Sequence, residues 1–199
     1  MINNVIKVVL LVVIIILAFL VFESVMRPVR FNQEVNKRSN TVIQQLKDIR
    51  TAQMAYRNIY GSYTNSFDTL LTFLNEGFIP VVKMVPDPED TTYTRTIRDT
   101  IGYIPVVDSL YGTRPNFRVE ALRYIRYSDN VEFDMDAGTI ERGGVAVNVF
   151  EASAHFNVFL KDLNRQMVVN IVAARNQLER FPGLKVGSMV DASLDGNWE

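Results

Sequence analysis

VVLLVVIIILAFLVF, residues 8–22, is an uninterrupted apolar run, and RSNTVIQQLKDIRTAQMAYRNIY, residues 38–60, follows with apolar residues at helical spacing and neither glycine nor proline. Together they read as one helical rod, half suited to lipid and half to water. At about 1.5 Å per residue the run reaches roughly 22 Å, short of a hydrocarbon core of roughly 30 Å. Val5 and Ile6 extend it, and Lys7 can reach the headgroups while its stem stays apolar. A cleaved signal peptide needs a small-x-small pair after the run. Val21, Phe22 and Glu23 are too bulky or too charged for that role, so the run reads as a retained anchor.

Pro28 follows closely and removes a backbone donor, so a bend near Ser24 or a break is expected. Beyond it, Val42, Leu46, Ile49, Gln53, Tyr56 and Tyr60 step by four and three residues alternately, forming a narrow apolar seam with Gln53 as its one polar member. Such a seam must be buried against the chain's own head or a sister helix. Gly61 is placed to end the helix. The rod is thereby expected to hold the globular end off the bilayer.

The 199 residues leave room for one compact head beyond the rod. The net charge of -1 hides a split: of 22 acids only Glu23, Glu34 and Asp48 precede Gly61, whereas the stem carries Arg27, Arg30, Lys37, Arg38, Lys47, Arg50 and Arg57. A basic stem beside a membrane is explained first by lipid phosphates, with Lys7, Arg27 and Arg30 as the headgroup contacts, and second by the acidic head of another copy. An acidic head without a recognised binding motif argues against nucleic acid. With Lys7 alone before the span and Arg27, Arg30, Lys37 and Arg38 after it, a literal positive-inside count would keep the head in the cytoplasm. The absence of cysteine excludes disulfides, thiol catalysis and cysteine metal sites.

In the head, Ser66 can cap a short helix with Phe67, Leu70, Leu71 and Leu74 on one face, ending at Gly77. FIPVVKMV (78–85) is strand-like, with Pro80 placing it at an edge or strand start. Residues 86–100 read as an exposed, threonine-rich excursion. IGYIPVVDSLYG (101–112) and ALRYIRYS (121–128) read as short strands. VEFDMDAG alternates Val131, Phe133 and Met135 with Glu132, Asp134 and Asp136, and Gly143–Gly144 turns it into VAVNVFEASA, an antiparallel meander. Asn164 can cap a helix with Met167, Ile171, Ala174 and Leu178 on one face, stopped by Pro182 and Gly183. GLKVGSMV is a last strand, and DASLDGNWE a polar tail with Trp198 as its one anchor. The fold class is α+β: a long N-terminal helix, half transmembrane and half amphipathic, on a small antiparallel sheet, with a second helix near the C-terminus. The units are an anchor over 1–26, a stem over 27–60, a head over 61–190 and a tail over 191–199.

IRTAQMAYRNIYGSYTNSFDTLLTFL (49–74) resembles the end of the N-terminal helix in the type IV pilin and type II secretion pseudopilin superfamily. There the helix closes on A-x-x-x-Y-x-x-x-x-G-x-Y and a leucine-rich helix follows. The matching residues are Ala52, Tyr56, Gly61 and Tyr63, then Leu70, Leu71 and Leu74. A prolyl kink in the rod and a meander sheet fit the same pattern. MINNVIK stands where the family carries its peptidase glycine, and the first acid is Glu23, beyond the run, where the family places a glutamate inside it. The resemblance implies a non-enzymatic subunit in the inner membrane, its head periplasmic. The implied partners are membrane lipid and other envelope or secretion-system subunits, further copies of the chain among them. A monomeric tethered domain that binds a ligand or another envelope protein, through the threonine-rich loop or the acidic meander, is the alternative.

Catalytic signals are sparse. His155 is the single histidine, Ser153 its nearest serine, and no nucleophile signature surrounds them. No cofactor is expected from the motifs. Calcium, needing roughly six to eight converging oxygens, is the one metal considered, with Asp87, Glu89 and Asp90 as the candidate set, because some pseudopilins bind it through such a loop. Asp129, Glu132, Asp134 and Asp136 alternate along a strand and would stand in a row.

Overall fold

The computed structural model describes residues 2–86 and 96–199. Helix α1 runs unbroken over Ile2–Tyr60. Pro28 lies inside it, so the expected break is absent: helical pairing on either side carries the chain through the missing donor. Gly61 ends the helix at φ +81°, its N–H donating to the Arg57 carbonyl at 2.7 Å. That left-handed conformation suits glycine and closes the last turn.

Helix α2 (Phe67–Glu76) starts where Ser66 Oγ accepts from the Thr69 N–H, and it buries Phe67, Leu70, Phe73 and Leu74. Strand β1 (Phe78–Pro86) pairs antiparallel with β2 (Thr96–Pro105) in a two-stranded sheet whose register slips at Val81/Val82. The expected excursion is therefore in part a strand. The expected strand over 101–112 is cut short: Pro105 ends β2 and helix α3 (Val106–Tyr111) begins, with the Val106 N–H on the Gly77 carbonyl at 3.0 Å. Nor is 121–128 a strand. A 3-10 turn occupies Val119–Leu122, and Tyr124 makes one isolated bridge to Glu132.

Strands β3 (Asp134–Arg142) and β4 (Val145–His155) form the meander, joined by Gly143 and Gly144 at φ +61° and +78°. Two consecutive positive φ values make the tight turn whose twist matches a hairpin. A short α4 (Phe156–Phe159) leads to α5 (Arg165–Gln177), which Asn164 caps by accepting from the Met167 N–H at 3.2 Å. The inward face of α5 is Val168 with the half-buried Met167, Ile171, Val172 and Arg175, while Ala174 and Leu178 are exposed. The expected stripe was rotated because the helix is solvated on most sides. It also ends earlier than expected, Glu179 taking φ +53° before Pro182 is reached.

Strand β5 (Gly183–Gly187) completes a sheet of order β3-β4-β5. The C-terminal segment lies along β5: Asn197 donates to the Lys185 carbonyl, the Gly187 N–H to the Asp195 carbonyl, both at 3.0 Å, and Trp198 is half-buried. The core lies between the C-terminal half of α1, α2 and the inner face of β4 and β5.

Candidate functional site: the stem and the segments it holds

On the stem, Val42, Leu46, Ile49 and Gln53 are fully buried, Tyr56 is half-buried, and Tyr60 is 60% exposed. Each buried aliphatic of this kind stabilises the fold by about 1.5–3 kcal/mol. Tyr56 and Tyr60 turn from this seam onto Phe73 of α2, with ring centroids 5.3 and 5.8 Å away, edge-on to it. Ala52 is buried. Tyr63 packs on Phe150 at 4.9 Å, and its hydroxyl accepts from Arg57 at 3.1 Å. The Gln53 amide is satisfied within the core: Nε2 donates to the Thr64 carbonyl at 2.6 Å, and Oε1 accepts from the Thr64 N–H at 3.1 Å.

Three further buried polar residues on the stem hold irregular head segments, and periodicity does not single them out. Arg38 makes a two-pronged pair with Asp162 and donates to the Phe159 carbonyl at 3.0 Å. Gln45 donates to the carbonyls of Ala121 and Tyr124 and accepts from the Arg126 N–H, at 2.9–3.0 Å. Asp48 receives both Arg114 nitrogens at 2.7 and 3.0 Å, while its backbone carbonyl takes the Tyr111 hydroxyl at 2.7 Å. Arginine and a carboxylate matched in this way combine direction with strength. The one signal available in sequence was a set of polar side chains flanking the seam.

The charges respond to this packing. The Arg38 guanidinium holds the Asp162 carboxyl down to about 2, and the carboxylate in turn raises the Arg38 pKa. Burial pushes the Tyr111 phenol up, with the nearby Asp48 charge adding to it. Hydrogen bonding to Asp48 raises Arg114.

Between the stem and residues 114–127 lies a groove of about 570 Å³. Thr41 and Gln44 line the stem side; Arg114, Arg118, Arg126 and Phe117 line the other. Asp48 answers the Arg114 charge. Arg118 and Arg126 are exposed and make no ion pair among the described residues. This cationic groove in a largely acidic head suits a carboxylate or another anion.

The remaining expected positions are spread out. Lys7 is exposed; Arg27 and Arg30 are exposed and share Glu23 at 3.2 and 3.8 Å. Asp87, Glu89 and Asp90 lie outside the described residues, and among the described residues no cluster of three or more His, Asp or Glu converges as a metal site. On the meander, Asp129 faces Lys161 and Glu132 faces Arg123. His155 packs on Phe181, centroids 4.6 Å apart, while Ser153 is buried in β4.

Among the described residues one helix is long and apolar enough to cross a membrane. No family model, curated protein or solved structure matches the chain.

Proposed function

We propose that this chain is a single-pass, non-enzymatic envelope subunit of pseudopilin-like architecture that works by lateral assembly with other subunits through its rod. The supporting observation is the division of α1. Every large apolar side chain from Val9 to Phe22 is 46–64% exposed, whereas Val42, Leu46, Ile49 and Gln53 are fully buried in the chain's own head. A bare surface of that size needs lipid or another helix against it. The seam is already occupied by the head, so the free contact surface is the N-terminal part. The glycine-capped rod end, the leucine-rich α2 and the meander sheet all support the family resemblance. In this reading the anchor sits in the inner membrane and the head in the periplasm, since a long domain can cross regardless of flanking charge.

Single cysteines placed along residues 8–22 test the proposal by crosslinking in native membranes. Crosslinks to another copy or to one defined partner that recur at helical spacing are the expected outcome, and their absence removes assembly. A membrane-impermeant thiol reagent reacting with Ser193→Cys in spheroplasts is expected for a periplasmic head. The arginine groove favours a second reading, a monomeric tethered domain that binds an anionic ligand. That reading requires the ligand to bind with no crosslink between copies.

A further inference from the structure

The contacts along α1 give the head a vertical order. Asn148 Nδ2 of β4 donates to the Gly61 carbonyl at the far end of the rod, at 2.6 Å, while Arg38 holds Phe159 and Asp162, lower down. Lower still, Met167 of α5 shares a small hollow with Leu20, Glu23, Ser24, Arg27 and Pro28. Glu23 is half-buried there. The first turn of α5 therefore stands level with the end of the apolar run. The head thus reaches down the rod as far as Leu20, within the run itself.

The surface at that corner has a matching chemistry. A shallow hollow of about 330 Å³ has buried Leu160 and Val168 as its floor and Lys161, Arg165 and the 48% exposed Val169 at its rim. Lys161 already faces Asp129, but Arg165 makes no ion pair among the described residues. On the stem, where Met167 meets Arg27, Arg27 and Arg30 share the single carboxylate of Glu23, leaving a surplus positive charge.

We propose that this α4–α5 corner is the foot on which the head stands on the bilayer holding its own span, with the hollow at Arg165 receiving the phosphate of an anionic lipid. The inference rests on the anchor reading above. The span supplies the occupant, since any bilayer that covers residues 8–22 must place its headgroups beside Met167. Charge supplies the preference for anionic lipid. Val169 supplies a shallow apolar contact at the interface.

The chain has no cysteine, so single thiols can be labelled cleanly in the full-length protein. An environment-sensitive fluorophore is placed at Val169→Cys, at Ile14→Cys within the run, and at Val145→Cys near the opposite end of β4, and the proteins are reconstituted into phosphatidylcholine vesicles with and without phosphatidylglycerol. The probe at 169 should emit as at an interface and be quenched by headgroup nitroxides, more strongly with phosphatidylglycerol, while that at 145 stays aqueous. Arg165→Gln should lower the ratio of docked to undocked heads about fivefold on anionic vesicles. An aqueous signal at 169 beside a lipid signal at 14 overturns the foot and leaves the anchor standing. An aqueous signal at 14 overturns both.

Discussion

Arg38 and Asp162, 124 residues apart, form a two-pronged ion pair that fastens the turn after α4 to the stem, with Nη2 to Oδ2 at 2.8 Å. The arginine side chain is 9% exposed and the carboxylate 58%. Because the folded carboxyl is held below its ordinary value of 3.8, at about 2, the pair's contribution is fully present above that ordinary value. It is lost as pH falls through the window between the two. Asp162→Asn should cost about 1 kcal/mol at neutral pH, a small amount because water screens the exposed partner. It should also flatten the acid-side fall in stability. Urea unfolding of both proteins in detergent, at neutral and at acid pH, measures this, and an unchanged acid slope would exclude Asp162 as its source.

Gln53 and Thr64 make a closer test of the stem. Both Thr64 backbone groups are satisfied by one fully buried amide. Gln53→Leu keeps the volume and removes both partners, leaving a donor and an acceptor orphaned. The expected loss is about 2–4 kcal/mol, at about 1–3 kcal/mol for each orphaned group. A loss under about 0.5 kcal/mol in chemical denaturation would mean that water reaches the loop after Gly61.

What was legible followed from local rules. The seam could be read because Val42, Leu46 and Ile49 keep helical spacing, and the hairpin because Gly143–Gly144 admits the two left-handed residues a tight turn requires. Residues 113–130 were not legible. Their path is set by Gln45 and Asp48, which lie more than sixty positions earlier, and no periodic pattern in the segment itself encodes those bonds. Polar side chains on a helix read by default as solvated, so the stem's buried Arg38, Gln45 and Asp48 looked like surface. The face of α5 departs from the expected stripe for the opposite reason: most of its aliphatic side chains touch water, and their spacing carries little information about what it packs against.

Gly61 tests the resemblance at the level of backbone. Its φ is +81°, and a Cβ built there meets nothing within 4 Å. Any cost of Gly61→Ala is therefore conformational and should come to about 1 kcal/mol. Gly61→Asn should cost less, since asparagine tolerates this region. Thermal unfolding of the three proteins measures the order. Equal stabilities would show that the rod does not need a left-handed residue to stop.

Ile15 lies near the middle of the apolar run and is 59% exposed, with no head residue to shelter a charge. Ile15→Lys should raise the cost of insertion by about 3 kcal/mol, because an ammonium at the centre of the span sits where a charge is most costly, farthest from both headgroup layers. Carbonate extraction should then release the variant from the membrane fraction. Asn36→Lys, on the exposed side of the stem, should remain in the pellet. The head should keep its thermal transition in both, since its buried core takes in the stem only from Phe31 onward and Ile15 lies outside the hollow where Met167 meets Leu20. If Ile15→Lys stays in the membrane as firmly as the parent, the run is not what holds the chain there, and the anchoring surface must be sought on the head.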